Sequence, residues 1–263
     1  MAQNIVTFLG TAGARIMLAK QLLASGGMWF NLGGTQILVD PGPGCLVHAV
    51  KKKLDATKLS AIILSHKHLD HSGDVNVMIE AMSEGGFHPR GTVFAPQDAL
   101  EGDPVILKYI RGYPKQITVL KENQTFKVDN ITFKTSVPHH HGAETYGFVF
   151  HTPELIFSYI PDTLFFPELP SSYSGEVLII NAVRLQKTGP VLHLSIEDVK
   201  EIIRQIKPKV VILTHFGMTM WRAHPWEVAE ELSHETGIKV MAARDRQSID
   251  LTELAAVEST TRK

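Results

Sequence analysis

The stretch Ser65-His66-Lys67-His68-Leu69-Asp70-His71 constrains this chain more than any other. Four side chains able to bind a metal, His66, His68, Asp70 and His71, fall within six residues. Ala61-Ile62-Ile63-Leu64 precedes them, a short apolar run of the buried-strand type. Ser72-Gly73-Asp74 follows and leads into Val75, Val77, Met78, Ile79, Ala81 and Met82, a helical pattern. The cluster therefore sits on a strand-to-helix loop, where rigid neighbours can hold side chains in place. Imidazole and carboxylate suit zinc, manganese or iron. Six residues offer too many donors in too many directions for one closed tetrahedral site, so two adjacent metals are the simpler reading. A polar surface loop that happens to be rich in histidine is the competing one, and it leaves the strand-loop-helix setting unexplained.

Composition bounds the chain. Its 263 residues, 44% hydrophobic and 20% charged, suffice for a sizeable core in one large domain or two fused halves. A net charge of −1 argues against bulk binding to nucleic acid or to an anionic membrane. The single cysteine, Cys45, excludes an internal disulfide and a cysteine-rich zinc ribbon. The opening Met-Ala-Gln-Asn-Ile-Val carries no basic segment and no signal-like apolar stretch. No apolar run approaches the roughly 20 residues that span a bilayer. A soluble, cytoplasmic protein is expected.

Along the chain, Ile5–Leu9 reads as a strand before a Gly10–Arg15 loop, and residues 16–27 give no clear pattern. Met28–Leu32 and Gln36–Val39 read as a hairpin, ended by Asp40-Pro41-Gly42-Pro43-Gly44. Cys45–Lys53 reads as a helix with lysines at its C-terminal end. A strand at Thr92–Ala95 follows the metal loop. The irregular stretch 97–114 reads as a helical connector in preference to a flap over the site. Ile117–Leu120, Thr125–Val128 and Ile131–Thr135 alternate like a β-meander. A second histidine group, His139-His140-His141, precedes a strand at Thr145–Phe150. Leu155–Tyr159 is a strand ending in Ile160-Pro161-Asp162-Thr163, and Val177–Ile180 is another, before Asn181-Ala182-Val183. Ser195 and Asp198 are spaced to cap a helix that runs to about Ile206. Val210–Leu213 leads into Thr214-His215-Phe216-Gly217, and Pro225–Thr236 is a helix stopped by Gly237. Lys239–Ala242 and Ser248–Leu251 are closing strands, and the polar tail from Glu253 is expected to fray.

Taken together, these residues resemble the metallo-β-lactamase-fold hydrolases over nearly the whole chain. The motif at 66–71 is the strongest point of likeness. Leu9-Gly10-Thr11 and His193 resemble the ribonuclease Z and cyclic-phosphate phosphodiesterase branch. The resemblance implies an α/β fold class, an αββα four-layer sandwich of two mixed β-sheets with helices on the outer faces. One domain over 1–263 would be built as two similar halves, about 1–135 and 136–251. It also implies that His66, His68 and His141 hold one divalent metal and Asp70, His71 and His215 another, with Asp162 bridging them. Zinc is the first choice, with manganese and iron as alternatives. His141 is preferred over His139 because the third ligand of that branch lies six residues before a Gly-aromatic pair, here Gly147-Phe148. Asp162 follows Pro161, where the family has glycine. Asp40 would stand behind the ligands and accept a hydrogen bond from a ligand imidazole or loop amide. A plain Asp-Pro-Gly turn is its alternative.

By the same resemblance a water held between the metals is the nucleophile, and Asp70 and His193 are the catalytic side chains. Two divalent ions outweigh two carboxylates and a hydroxide by about one positive charge, which favours a small anionic substrate such as a phosphodiester or cyclic phosphate. His193 lies 22 residues before His215, ahead of a helix, where that branch has a histidine that contacts phosphate or protonates the leaving oxygen. A merely structural helix-start histidine is the alternative. Lactone, thioester or β-lactam hydrolysis on the same fold, and a non-catalytic metal-binding scaffold, are the competing functions. Ribonuclease Z carries a transfer-RNA-gripping arm between its third histidine and bridging aspartate. Asp162 lies only 21 positions after His141, which makes stable nucleic-acid binding an unexpected property. A homodimer is compatible with all of this. His48, His88, His151, His224 and His234 have no motif around them.

Overall fold

The computed structural model describes residues 3–256 apart from 188 and 190. Its first strands are β1 (Asn4–Phe8), β2 (Met28–Leu32), β3 (Thr35–Val39), β4 (Leu59–Ile63), β5 (Arg90–Ala95) and β6 (Pro114–Val119). Helices α1 (Ala14–Lys20), α2 (Cys45–Lys51), α3 (Leu69–Ser72) and α4 (Val75–Met82) lie among them. There follow β7 (Thr125–Val128), β8 (Ile131–Thr135), β9 (Phe148–His151), β10 (Ile156–Ile160), β11 (Val177–Asn181), β12 (Val210–Thr214), β13 (Lys239–Ala242) and β14 (Gln247–Asp250). Helices α5 (Ile196–Ile206), α6 (Met218–Arg222), α7 (Pro225–Thr236) and α8 (Leu251–Ala256) complete the chain. The strands form two seven-stranded sheets, ordered β14-β1-β2-β3-β4-β5-β6 and β13-β12-β11-β10-β9-β8-β7. Strands β3 to β6 run parallel in one sheet and β10 to β13 in the other. The remaining pairs are antiparallel.

Successive side chains of a strand point to opposite faces of its sheet. Phe30 of β2, Ile37 and Val39 of β3 and Ile63 of β4 therefore point one way and meet Phe150, Phe157, Ile179 and Ile212 of the other sheet in a shared core. Their neighbours Trp29, Leu38 and Ile62 face outward and are covered by Cys45 and Ala49 of α2 and Met78 and Ile79 of α4. Leu178, Ile180, Val211 and Leu213 are covered by Val199 and Ile203 of α5 and Val228 and Leu232 of α7. The four layers are thus helices, sheet, sheet, helices, as expected. Val177–Ile180 and Val210–Leu213 are unbroken apolar runs because a strand covered on both faces has no wet side to alternate toward. Ser195 and Asp198 form a reciprocal capping box at the start of α5.

Several local expectations need correction. The three segments read as one meander divide between the sheets: β6 pairs with β5, while β7 and β8 belong to the second sheet. Alternation describes the faces of a single strand and says nothing of its partner. The change of sheet falls between β6 and β7, and β14 returns to the first sheet beside β1. The 97–114 stretch is a connector with two single 3₁₀ turns, Gln97–Ala99 and Lys108–Ile110, in place of a longer helix. Ile106 and Ile110 bury against α4 and β5, and Asn76 brackets the chain by bonding the Val105 carbonyl and the Leu107 N–H. Residues 145–147 are not strand. Residues 251–256 form α8, with Leu251 and Ala255 in the inter-sheet core, so the expected fraying from Glu253 fails there. The rest of that tail, 257–263, lies outside the described residues, as do the first two. Among the described residues, no helix is long and apolar enough to cross a membrane.

The inter-sheet core centres on Phe150, whose ring lies 4.9 Å from Phe157, 5.6 Å from Phe133 and 5.7 Å from Phe30. Phe150→Ala should lower stability by about 3–5 kcal/mol in a urea titration. A loss under about 1 kcal/mol would mean that the sheets can close over the gap.

Candidate metal centre

The expected site segments leave the C-terminal ends of parallel strands. Asp40 follows β3, Ser65–His71 follows β4, Asp162 follows β10 and His215 follows β12. Parallel neighbours point their C-terminal ends the same way, so their loops collect along one edge of a sheet. His141 comes from the β8–β9 connection and His193 from the segment between β11 and α5.

These segments meet. Donor atoms of His66, His68 and His141 form one group, those of Asp70, His71, Asp162 and His215 a second, and those of His141, Asp162 and His193 a third, each within 4.8 Å. Asp162 Oδ2 is shared by the second and third groups. It lies 3.2 Å from His193 Nε2, 3.4 Å from His71 Nε2, 3.5 Å from His215 Nε2 and 3.9 Å from His141 Nε2. Asp70 Oδ2 is 3.5 Å from His215 Nε2. Imidazole nitrogens also face one another, His71 Nε2 and His215 Nε2 at 3.3 Å and His141 Nε2 and His68 Nδ1 at 2.9 Å.

The far side of each ring decides what these nitrogens can do. His141 Nδ1 donates to the Leu192 carbonyl at 2.9 Å, and His71 Nδ1 to Asp40 Oδ2 at 3.0 Å. Both partners only accept, so in the neutral rings each Nε2 keeps a lone pair directed at the centre. The Ser65 hydroxyl donates to Asp40 Oδ2 at 2.7 Å and so receives His66 Nδ1 at 3.0 Å. His66 Nε2 is then a buried acceptor with no hydrogen-bond partner among the described residues. An orphaned acceptor beside converging lone pairs and two carboxylates fits a bound cation.

The electrostatics agree. Burial pushes His66 well below the ordinary histidine value, lowers His68, and takes His141 down to about 4, so all three favour the neutral ring that a metal ligand needs. Burial opposes charge on Asp162 and Asp70, but the surrounding histidines outweigh it and hold both below the usual carboxylate range. Burial likewise opposes charge on His71 and His215. Asp40 and Asp70 overcome it at His71, and Asp162 takes His215 up to about 9. In the protein alone these two histidines carry the counter-charge for the buried carboxylates. A divalent cation would take over that role and displace their protons.

Asp40 is more than a turn residue. It accepts from the Ser65 N–H, the Ser65 hydroxyl, His71 Nδ1 and the Tyr159 hydroxyl, all at 2.7–3.1 Å. Asn181 donates to Asp162 Oδ1 at 2.9 Å and so leaves Oδ2 for the centre. Tyr159 and Asn181 were not legible as site residues. Asn181 alone left a trace, a polar residue closing an apolar strand as the ligands do. His139 is occupied elsewhere, by the Asp162 carbonyl at 3.2 Å and the Tyr173 hydroxyl at 2.5 Å, and His140 stacks on Phe166. Residues 145–147 leave the strand because they serve the site. The Tyr146 N–H holds the Ser65 carbonyl, Thr145 accepts from the His139 N–H, and a Cβ at Gly147 would overlap the Tyr173 hydroxyl.

A family model described as beta-lactamase superfamily domain matches residues 35–216. An uncharacterized protein of Methanocaldococcus jannaschii is 30% identical over 253 residues, which is 94% of each chain. This chain belongs to the beta-lactamase superfamily. Its fold is that of the metallo-β-lactamases. The crystal structure of the metallo-β-lactamase fold protein YhfI from Bacillus subtilis superposes with a TM-score of 0.75 at 19% identity, over 95% of this chain and 99% of that one. A diphosphatase of the PhnP family gives a TM-score of 0.68 at 19% identity, over 94% and 96%.

Asp40→Asn would replace one of the two accepting oxygens with an amide donor that faces donors. It should weaken metal retention about 10–100-fold in a chelator competition while leaving the far-ultraviolet circular dichroism unchanged. Retention equal to the wild type would mean that Asp40 does not orient the ligands.

Proposed function

We propose that this protein is a hydrolase that uses two divalent metal ions, zinc first among them, to cleave a small anionic phosphodiester or cyclic phosphate. The observation that carries the reading is His193. Its Nε2 lies 3.2 Å from Asp162 Oδ2, at the margin of the donor cluster, with 16% of the side chain exposed. Bound metal there would supply Lewis acidity and lower the pKa of water from about 16 to about 7. The chain's own groups do the rest. His66, His68 and His141 hold one side of the centre, Asp70, His71 and His215 the other, and Asp162 Oδ2 stands between them. Asp40, Ser65 and the Leu192 carbonyl keep the rings aimed. His193, facing the centre from outside both ligand groups, can bind the phosphoryl group and pass a proton from Nε2 to the leaving oxygen.

A small substrate agrees with the short His141–Asp162 connection, which holds only β9, β10 and the turns around them. A net charge of −1 gives little counterion release to drive RNA binding.

Elemental analysis after mild purification should find close to two metals per chain, and His215→Ala should reduce that value. One metal per chain in both proteins would remove the second site.

His193→Ala should lower turnover by about 10²–10⁴-fold on a phosphodiester with an alkyl leaving group. It should cost far less on a nitrophenyl ester of phosphate, whose leaving group needs little protonation. Metal content should stay the same. A fall in metal content would recast His193 as a ligand, and unchanged rates on both substrates would remove the case for phosphodiester hydrolysis over lactone, thioester or β-lactam cleavage.

A further inference from the structure

Four consecutive residues at the end of β11 tie together the loops of the second sheet's edge. Asn181 holds Asp162. The Ala182 N–H donates to the Thr214 carbonyl at 2.8 Å and the Val183 carbonyl accepts from the Gly217 N–H at 3.1 Å, so this backbone brackets His215. Arg184 comes next. Its N–H donates to the Leu194 carbonyl at 3.3 Å and its Nη2 to the His193 carbonyl at 2.8 Å.

Arg184 is only 6% exposed. A charged side chain is buried that deeply only where hydrogen bonds compensate its lost hydration. Here a guanidinium donor goes to the main chain of the residue whose imidazole faces Asp162. The carbonyl one residue earlier, of Leu192, is the acceptor that orients His141. The chain turns tightly between them, with the His193 N–H on the Val191 carbonyl at 2.9 Å. Downstream, Leu194 is buried and Ser195 caps α5, so the helix anchors the turn on that side. Arg184 anchors it from the β11 side.

We propose that Arg184 is a positioning residue whose guanidinium holds the His193 main chain, so that one turn both orients His141 and presents His193 to the substrate. The catalytic half of this statement rests on the role given above to His193, and the experiment separates the two. Arg184→Met, Arg184→Lys, His193→Ala and the His193→Ala/Arg184→Met double variant are assayed on the alkyl phosphodiester and on the nitrophenyl ester. Metal retention against a chelator and the melting temperature are measured on the same proteins.

Arg184→Met should lower kcat on the alkyl substrate by about 10–100-fold, with a much smaller loss on the nitrophenyl ester. It should also release metal roughly 10-fold more readily, because His141 loses its fixed acceptor. Assayed with metal in excess, the double variant should be no slower than His193→Ala alone, since both changes then remove the same contribution. Arg184→Lys, which keeps the charge and a donor, should recover part of the alkyl rate.

Equal losses on both substrates, or losses that simply add to those of His193→Ala, would reduce Arg184 to a structural residue and overturn the proposal. If the methionine variant does not fold, the lysine variant decides: a loss confined to the alkyl substrate supports the proposal, and wild-type rate with wild-type metal retention overturns it. Should His193→Ala itself leave both rates unchanged, the catalytic reading of His193 fails by itself, and metal retention in the Arg184 variants still shows whether Arg184 holds the turn.

Discussion

Two carboxylates, Asp40 and Asp162, are buried where the edges of two sheets meet, and most of the local structure answers to that fact. Asp162 is 2% exposed, and its Oδ2 stands within 3.9 Å of four imidazole nitrogens. A buried carboxylate without compensation is among the costliest groups a fold can contain. The compensation here is layered. The facing histidines supply positive charge or lone pairs as occupancy demands. A second set of groups, Asp40, Asn181, Ser65 and the Leu192 carbonyl, decides which nitrogen or oxygen of His71, Asp162, His66 and His141 faces the centre. Of these, only Asp40 is itself charged, and it is satisfied by four donors.

Backbone geometry is adapted to the same end. Asp40 and His215 both adopt positive φ, +53° and +59°, a region that residues with a side chain seldom enter. Each follows a strand and must turn at once toward the centre. Two glycines make room for these turns. A Cβ on Gly42 would overlap the Asp70 carbonyl, and one on Gly13 would overlap the carbonyl of His215. Asp245 holds the facing loop by accepting from the N–H and hydroxyl of Thr11 and from the Ala24 N–H. Gly13 also donates its N–H to the Phe216 carbonyl, which locks this loop against the one that carries His215.

What was legible in the sequence follows from chemistry that leaves a local mark. A strand buried on both faces writes an apolar run, and a metal ligand must be one of few residue types, so β4, β10 and β12 could be read together with the donors after them. Asp40 could be read because the family resemblance implies an aspartate behind the ligands at the end of that hairpin. Tyr159 could not, since its hydroxyl reaches Asp40 from inside a strand where an aromatic ring is ordinary core. The Leu192 carbonyl has no side-chain signature at all. Helix α1 was missed because Gly13 precedes it without a side-chain cap and its first turn carries no acid. The division of β6 from β7 was missed because pairing is a property of two strands, and each strand's alternation reports on only one. The match of the family model ends at residue 216, just past His215, so it spans all the expected ligands and leaves α6, α7 and the closing strands outside.

The site also explains why the two sheets are held as one body. The first sheet's loops contribute Asp40, His66, His68, Asp70 and His71, and the second sheet's contribute His141, Asp162 and His215. Two of the three donor groups draw on both sets: His66 and His68 need His141, and Asp70 and His71 need Asp162 and His215. The Tyr159–Asp40 hydrogen bond and the Tyr146–Ser65 backbone bond cross the same seam. Cation binding would therefore act on the sheet-to-sheet packing as well as on the donor groups. A ligand that binds only the assembled edge stabilises the assembled state in proportion to its affinity and concentration. The phenylalanine-rich core between the sheets holds the edges together, which would spare a bound metal the entropy of gathering loops from both. The inner shell can then be built from close, mutually repelling groups that no surface loop would keep in place.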